Sequence, residues 1–296
     1  MPLTPPATLS PSKISSFSDC ALAFRLSAIE GLPEPPTAPA TRGTLVHLAL
    51  QHLFDRPADQ RSRGAAEEDL ARAFEELRSD PEYTGLALGP DEEAAFLAEA
   101  GVLLHRYFEM EDPATVTPIG LELKLEARVG DIRVRGIIDR LELDAEGGLV
   151  VTDYKTGRAP STAHQQGRLG GVTFYALLCE EVFGVRPARV QLLYLGDGIT
   201  ITTAANEQST RGLRTKIGAL WSAVERACER EDFRPRPGPL CAWCGFHAYC
   251  PAQGGDLALL PATAPVTRAP VPVASPVPVA SPVPVASPGA LASVDR

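Results

Sequence analysis

Between Gly136 and Gly157, two apolar runs separated by a glycine-rich break constrain the fold of this chain more than any other stretch. The runs of β-branched and aliphatic residues predict two strands. The break at Glu146-Gly147-Gly148 predicts a turn, because glycine readily adopts the backbone conformations that turns require. The segment is therefore predicted to fold as a β-hairpin.

Charged residues interrupt both strands of this hairpin. Asp139 lies within the first apolar run, and Asp153 and Lys155 follow the second run two positions apart. Side chains two apart on a strand leave by the same face, so Asp153 and Lys155 are predicted to share one space. Charged groups are rarely buried unless they are paired or bind a metal. We therefore predict a divalent cation between Asp139 and Asp153, with an ordinary surface hairpin and an Asp153–Lys155 salt bridge as the alternative.

The string G-I-I-D, followed after a spacer by D-Y-K-T-G, resembles the catalytic core of the PD-(D/E)XK nucleases and, within them, of the RecB-like branch. The resemblance implies an α/β domain with a restriction-endonuclease-like core, in which helices flank a mixed central β-sheet. It implies that Asp139 and Asp153 hold Mg²⁺ or Mn²⁺, hard ions that prefer oxygen ligands, and that the backbone carbonyl of Tyr154 is a further ligand. Lys155 would orient or deprotonate the attacking water and offset charge on the phosphate.

A predicted helix that begins near Arg42 carries the string Gly43-Thr44-Leu45-Val46-His47. A histidine on a helix is more often structural than catalytic, and the residues alone favour that interpretation. In RecB-like nucleases a G-x-x-x-H helix precedes the acids, so the resemblance implies that His47 joins the metal site through a neutral imidazole nitrogen. His52 lies outside the motif and is predicted to be on the surface. Glu122 is predicted either to contribute to the metal site or to pair across strands with an arginine.

A further helix is predicted to end at Gly184, and its predicted buried face consists of Phe174, Leu177, Leu178 and Val182. RecB-like nucleases carry a glutamine four residues before a tyrosine on this helix, and that pair positions DNA. By this resemblance Tyr175 is predicted to bind DNA, but Gly171 occupies the glutamine position. The departure from the pattern bears directly on how well the chain engages its substrate.

Three cysteines form a C-x₂-C-x₅-C cluster near the end of the predicted domain: Cys241, Cys244 and Cys250. Clustered thiols in a cytosolic protein indicate a metal rather than disulfides. The resemblance to iron-sulfur members of the RecB-like nucleases supplies Cys20 as a fourth ligand, which completes the four thiolates of a [4Fe-4S] cluster and joins the N- and C-terminal parts. A zinc site with four cysteines, or with three and His247, is the alternative.

Composition limits where nucleic acid can bind and how the chain divides. The formal net charge is -9, whereas DNA affinity depends on neutralising phosphates, so a basic groove must be local or supplied by a partner. Neither a secretory signal nor an apolar run long enough to cross a membrane is evident, which predicts a cytoplasmic protein. We predict a flexible N-terminus over residues 1–8, a nuclease domain over 9–255, and a disordered Pro/Val/Ala/Ser-rich tail over 256–296.

The predicted function follows from the resemblance: a Mg²⁺-dependent deoxyribonuclease, acting as a single-strand exonuclease in DNA repair or recombination. The predicted partner is DNA, as ends or single strands. The chain lacks the G-x-x-x-x-G-K-[ST] string of a motor, so it is not predicted to be a helicase itself, and a separate helicase subunit is left open as a partner. Two alternatives stay open from the sequence. One is a catalytically weak subunit that binds DNA ends or serves assembly, and the other is a nuclease of CRISPR adaptation.

Overall fold

A computed structural model of the chain describes residues 2–160 and 162–261, with the backbone alone for residues 162–170. The main helices are α1 (Pro11–Asp19), α2 (Ala21–Phe24), α3 (Ala38–Asp55), α4 (Arg63–Leu77), α5 (Pro81–Thr84), α6 (Pro90–Met110), α7 (Thr162–Phe183) and α8 (Glu207–Arg230). The strands are β1 (Pro118–Val129), β2 (Ile132–Leu143), β3 (Leu149–Lys155), β4 (Arg189–Tyr194) and β5 (Ile199–Thr203). The predicted tail lies outside the described residues from 262 onward.

The five strands form one mixed sheet in the order β1-β2-β3-β4-β5. β1, β2 and β3 pair antiparallel, β3 and β4 pair parallel, and β5 returns antiparallel to β4. A parallel pair needs a long crossover, and α7 provides it between β3 and β4. The predicted hairpin is confirmed by the pairing of β2 with β3, which runs from Leu143↔Leu149 to Arg140↔Thr152. Helices flank this sheet, as the α/β prediction requires.

Two hydrophobic layers hold the helices against the sheet. One layer packs α7 and α8 onto the sheet through Val134, Ile138, Phe174, Leu177, Ile217 and Val224. The other packs α3, α4 and α6 through Leu45, Leu50, Phe74, Phe96, Leu104 and Tyr107. No helix among the described residues combines the length and apolarity that a bilayer crossing demands.

Three local predictions are corrected by this packing. His52 is buried, with Nδ1 2.9 Å from Arg72 and Nε2 3.1 Å from Glu76, because α4 covers the side of α3 that the pattern left to solvent. Val182 is 37 % exposed, so the buried face of α7 ends before it. Helix α3 begins at Ala38 rather than near Arg42, since Thr37 caps it and a proline fits its first turn.

Gly196 follows β4 where the chain passes directly over the end of the D-Y-K-T-G string. A Cβ atom at Gly196 would lie 2.6 Å from the carbonyl oxygen of Gly157 and 3.0 Å from that of Thr156. Backbone cannot yield as a flexible side chain can, so Gly196→Ala is expected to lower the free energy of unfolding by about 1–3 kcal/mol. Urea denaturation measures this change. Gly101→Ala on α6 is the control; it has open space and is expected to stabilise the protein slightly.

Candidate metal centre

Asp139 lies where β2 and β3 separate. The backbone pairing of the two strands stops at Arg140↔Thr152, so Asp139 and Asp153 are the next residues in register beyond the last pair. In place of a backbone partner, the Tyr154 N–H donates a hydrogen bond to Asp139 Oδ2 at 2.7 Å. This bond fixes a buried carboxylate between two strands, pointing toward the end of β3.

Glu122 is directed to the same place by an unusual backbone conformation. Its φ angle is 44°, in the left-handed region that a residue with a side chain rarely adopts. Its neighbours in β1 pair with Arg140 and Ile138, so Glu122 lies opposite Asp139 across the strands. Strained conformations of this kind cluster at functional sites, where the surrounding structure holds them in place.

His47, from α3, completes this group. Its Nδ1 lies 3.5 Å from Asp139 Oδ2 and 3.8 Å from Glu122 Oε1, and its Nε2–H donates to the carbonyl oxygen of Tyr154 at 3.1 Å. Within the described part of the chain, His47, Glu122 and Asp139 are the set whose potential ligand atoms all lie within 4.8 Å of one another. This is the candidate metal centre.

The donor set suits a small divalent cation. Two carboxylates and a carbonyl supply the oxygens that Mg²⁺ and Mn²⁺ prefer, and imidazole is also a common ligand of transition ions. The 3.1 Å contact between His47 Nε2 and the Tyr154 carbonyl oxygen is a hydrogen bond, so with this bond in place Nδ1, which faces Asp139 and Glu122, is the nitrogen that could bind an ion.

Asp153 and Lys155 leave β3 by one face, as the sequence predicts. The Lys155 ammonium lies 2.6 Å from Asp153 Oδ2, and the Tyr175 hydroxyl of α7 donates to Asp153 Oδ1 at 3.1 Å. Gly136 of β2 permits this approach of α7, because a Cβ there would lie 2.7 Å from Leu178 and 3.4 Å from the Tyr175 ring. Asp153 is therefore held from both sides.

The pKa values of the site reflect acidic groups that are buried close to one another and to an imidazole. Burial, and then the charge of Asp153, raise the pKa of Asp139 from 3.8 to about 7. Burial opposes the charged form of His47, but the neighbouring carboxylates, first Glu122 and then Asp139, outweigh burial and raise its pKa. For Lys155, the Asp153 carboxylate outweighs burial and raises the pKa, so the ammonium stays charged at neutral pH.

These pKa values predict that metal binding weakens in mild acid. Asp139 must lose its proton to ligate a cation, and its pKa of about 7 lies far above the ordinary value of 3.8. His47 must also lose its proton to ligate a cation, and its pKa is raised as well. The apparent Mn²⁺ affinity is therefore expected to fall by at least about tenfold per pH unit below pH 7. Calorimetric titrations between pH 5.5 and about 8.5 measure this. An affinity that does not change with pH would contradict the prediction.

Arg140, which the sequence analysis did not single out, lies directly behind the site and is fully buried. Its guanidinium stacks on the Phe54 ring at 4.8 Å and donates to the Tyr154 hydroxyl at 2.9 Å. It also pairs with two carboxylates, Glu142 at 2.8 Å and Glu111 at 3.0 Å. The sequence feature that could have indicated this role is an arginine inside an apolar strand, because a buried guanidinium needs buried hydrogen-bond or charge partners.

Of the predicted metal ligands, the structure brings His47, Asp139 and the Tyr154 carbonyl together. Asp153 lies near enough to raise the pKa of Asp139, but it is outside the set of ligand atoms that lie within 4.8 Å of one another, and its close partners are Lys155 and Tyr175. Glu122 lies beside Asp139, which favours the metal-site alternative over a cross-strand pair with an arginine. Gly171 has no described atom within 4 Å of where its Cβ would be, so a longer side chain has room there.

The four cysteines of the predicted cluster are half-buried free thiols. Cys20, Cys244 and Cys250 pack against the same small apolar group of Leu22, Leu26 and Phe246. The Arg236 N–H donates to Cys20 Sγ at 3.5 Å, and a Cβ on Gly245 would collide with Pro35. Within the described residues, however, no set of three of these thiols lies within 4.8 Å of one another.

The fold and site define a class: an α/β protein whose mixed sheet carries acidic metal ligands, with a lysine, at the point where two strands separate. The chain belongs to the PD-(D/E)XK nuclease superfamily, whose family model matches residues 8–251. Metal-dependent hydrolysis of phosphodiesters is the activity that this superfamily implies.

Relatives in sequence and structure agree with this assignment. The Gene 69 protein of Mycobacterium phage L5 is 31% identical over 146 residues, which cover 48% of this chain and less than half (46%) of that protein. The Gene 69 protein of Mycobacterium phage D29 is 26% identical over 81% of this chain and 95% of its own length. An ATP-dependent helicase/nuclease subunit from Moorella thermoacetica is 32% identical over 54% of this chain, but over only 12% of that protein.

A crystal structure of a candidate exonuclease from Eubacterium rectale superposes with a TM-score of 0.55 at 9% identity. The match covers 80% of this chain and 87% of the other. At this identity the likeness concerns the fold alone.

Proposed function

We propose that this chain is a Mg²⁺-dependent deoxyribonuclease of the RecB-like type, a single-strand exonuclease that acts in DNA repair or recombination. The observation that carries the proposal is the convergence of His47, Glu122 and Asp139 within 4.8 Å, at the end of the strand that bears Asp153 and Lys155. Packing does not require the buried Asp139 and the half-buried Glu122 to face one imidazole, and a divalent cation would compensate their charge.

In this proposal each side chain has a defined task. Asp139, Asp153, His47 and the Tyr154 carbonyl hold the ion, and Glu122 adds a further carboxylate. When bound, the ion would polarise a phosphate oxygen and make water a better nucleophile at neutral pH.

The neighbouring residues orient the reacting groups. Lys155 keeps its proton at neutral pH, so it can donate a hydrogen bond to a phosphate oxygen or to the attacking water as negative charge develops. The Tyr175 hydroxyl fixes one oxygen of Asp153, and the Tyr154 N–H fixes one oxygen of Asp139. Tyr175 lies close enough to the site to contact DNA there as well.

We also propose that Cys20, Cys241, Cys244 and Cys250 hold a [4Fe-4S] cluster that joins the two ends of the domain. Burial raises the pKa of Cys244, and the neighbouring thiols, first Cys20, raise it further, so the four groups share one neighbourhood. Four thiolates are the ligand set that a [4Fe-4S] cluster requires. Zinc held by four cysteines, or by three and His247, is the alternative.

Metal analysis after anaerobic purification tests the cluster. Brown protein with about four irons per chain is the expected result. Stoichiometric zinc without iron would refute the cluster and favour the zinc alternative.

The domain limits and the partner are part of the same proposal: a nuclease domain over residues 9–255, flanked by residues 1–8 and a tail over 256–296. A helicase subunit is the proposed partner, because the Moorella relative is named as a subunit of an ATP-dependent helicase/nuclease. The match covers 12% of that relative. The structure also describes residues outside both limits. The Leu3 N–H donates a hydrogen bond to the Cys228 carbonyl oxygen, and Leu257 packs near Cys250.

Cleavage of labelled DNA by the wild-type protein and by Asp153→Ala tests the nuclease proposal. Linear single strands are expected to be shortened in Mg²⁺, closed single-stranded circles to survive, and chelator or Asp153→Ala to stop the reaction. Labels at the 5′ or the 3′ end report polarity, and an RNA strand tests the choice of nucleic acid. Cleaved circles would favour an endonuclease.

A second function, DNA-end binding without efficient cleavage, is favoured by the open space at Gly171 and by the net charge of -9. The same experiment separates the two functions. Binding of DNA ends by metal-loaded wild-type protein, without cleavage, would support the binding role and refute the nuclease.

A further inference from the structure

The β1–β2 hairpin extends beyond the metal centre and carries a row of basic residues on its exposed face. Lys124 faces Ile137 across the strands, Glu126 faces Arg135, and Arg128 faces Arg133. All six side chains are exposed. We call the four cations the hairpin row: Lys124, Arg128, Arg133 and Arg135.

Folding does not require these charges. The opposite face of the hairpin buries Leu125, Val134 and Ile138 against α7, and this face fixes the register of the strands. Arg128 and Arg133 lie directly opposite each other, and like charges in that relation destabilise a sheet. An anion that lies over the pair would offset this repulsion.

Little on the protein neutralises the row. Among the six exposed residues that face each other across the hairpin, Glu126 is the only one with a carboxylate, and it lies 3.6 Å from Arg133. Among the described residues, no carboxylate forms an ion pair with Lys124, Arg128 or Arg135. The row therefore presents net positive charge on a chain whose overall charge is -9.

The row is continuous with the metal centre. Glu122 lies opposite Asp139, and two positions further along the same strands Lys124 lies opposite Ile137. Strands rise about 3.4 Å per residue, so the row leads about 20 Å from Glu122 to Arg128. Ile137, 44% exposed, supplies an apolar surface between the cations and the acids.

We propose that the hairpin row binds the phosphate backbone of single-stranded DNA and directs the strand to the metal centre. This inference rests on the proposed nuclease function and adds the route of the substrate. A linear series of cations with an apolar residue at its inner end suits an extended strand, which offers regularly spaced phosphates and sugars or bases between them. The contacts are to the backbone, so the row gives affinity without sequence preference.

The test compares two double variants that remove the same charge. Arg128→Gln/Arg135→Gln removes two cations of the row. Arg78→Gln/Arg211→Gln removes two exposed arginines on helices, each paired with a glutamate on its own helix. Affinity for a fluorescent oligothymidylate is measured by anisotropy in chelator, which prevents cleavage, at several salt concentrations. Thermal unfolding verifies that both variants are folded.

The row variant is expected to bind at least tenfold more weakly at low salt. The slope of the logarithm of its association constant against log[salt] should become less steep by about 1.4, the value for two lost phosphate contacts on a single strand. The control variant should match wild type in both measurements. If the two variants bind alike, or if wild-type protein binds no single-stranded DNA, the row is not a DNA path.

Failure of the row and failure of the nuclease proposal give different results. Wild-type cleavage in Mg²⁺ together with unchanged binding by the row variant would overturn the row alone. Weakened binding by the row variant, without any cleavage by wild-type protein, would support the row and refute the nuclease.

Discussion

Replacing Lys155 with methionine is expected to lower the rate of single-strand DNA cleavage in Mg²⁺ by about a hundredfold to a thousandfold. The ammonium lies 2.6 Å from Asp153 and is the cation that β3 places beside the acids. Methionine keeps much of the apolar stem but cannot donate a hydrogen bond to water or phosphate. Single-turnover cleavage measures the chemical step apart from binding and product release.

Two further measurements identify the cause of the lost rate. Mn²⁺ affinity of Lys155→Met should equal or exceed that of wild type, because a neighbouring positive charge has been removed from a cation site. Lys216→Met, an exposed change on α8, should leave the rate unaltered. A Lys155→Met protein that cleaves at nearly the wild-type rate would exclude Lys155 from the reaction.

Replacing Arg140 with methionine is expected to lower the free energy of unfolding by about 3–5 kcal/mol. The guanidinium is fully buried and pairs with Glu111 and Glu142. Removing it leaves two carboxylates without their cation in a largely apolar layer, which costs far more than the pair contributes. Chemical denaturation measures the loss.

Arg78→Met provides the matched control, because Arg78 also bonds both oxygens of a carboxylate, Glu75, but on an exposed helix surface. Exposed pairs of this kind contribute little, so its denaturation midpoint should stay close to that of wild type. Equal midpoints for Arg140→Met and wild type would mean that the buried network does not hold the α3–α6 layer to the sheet.

The hairpin and its acidic face were predictable because they depend on local pattern. A turn signal between two apolar runs specifies the hairpin, and the two-residue period of a strand places Asp153 and Lys155 together. The resemblance supplied His47, which lies far from the acids in the chain. In the folded protein its imidazole lies 3.1 Å from the Tyr154 carbonyl oxygen, a contact that no local pattern would have indicated.

Other features depend on contacts between distant segments, and the sequence left them open or misassigned them. Glu122 reaches the site only because its φ is 44° and its strand pairs in one register with β2. His52 is buried because α4 packs over α3, a contact that the α3 pattern does not encode. Arg140 has partners on α6, just after α6, on β2 and on β3, so its role becomes evident only when those elements are assembled.

Tyr154 belongs to two environments at once. Its main chain holds Asp139 and His47, while its phenol points the other way, into the interior beside Arg140. The side chain at position 154 must therefore fit the interior beside Arg140, whereas the tasks proposed for Asp153 and Lys155 concern the metal centre. A substitution of this tyrosine is expected to need compensating changes among its interior neighbours, although its side chain points away from the site.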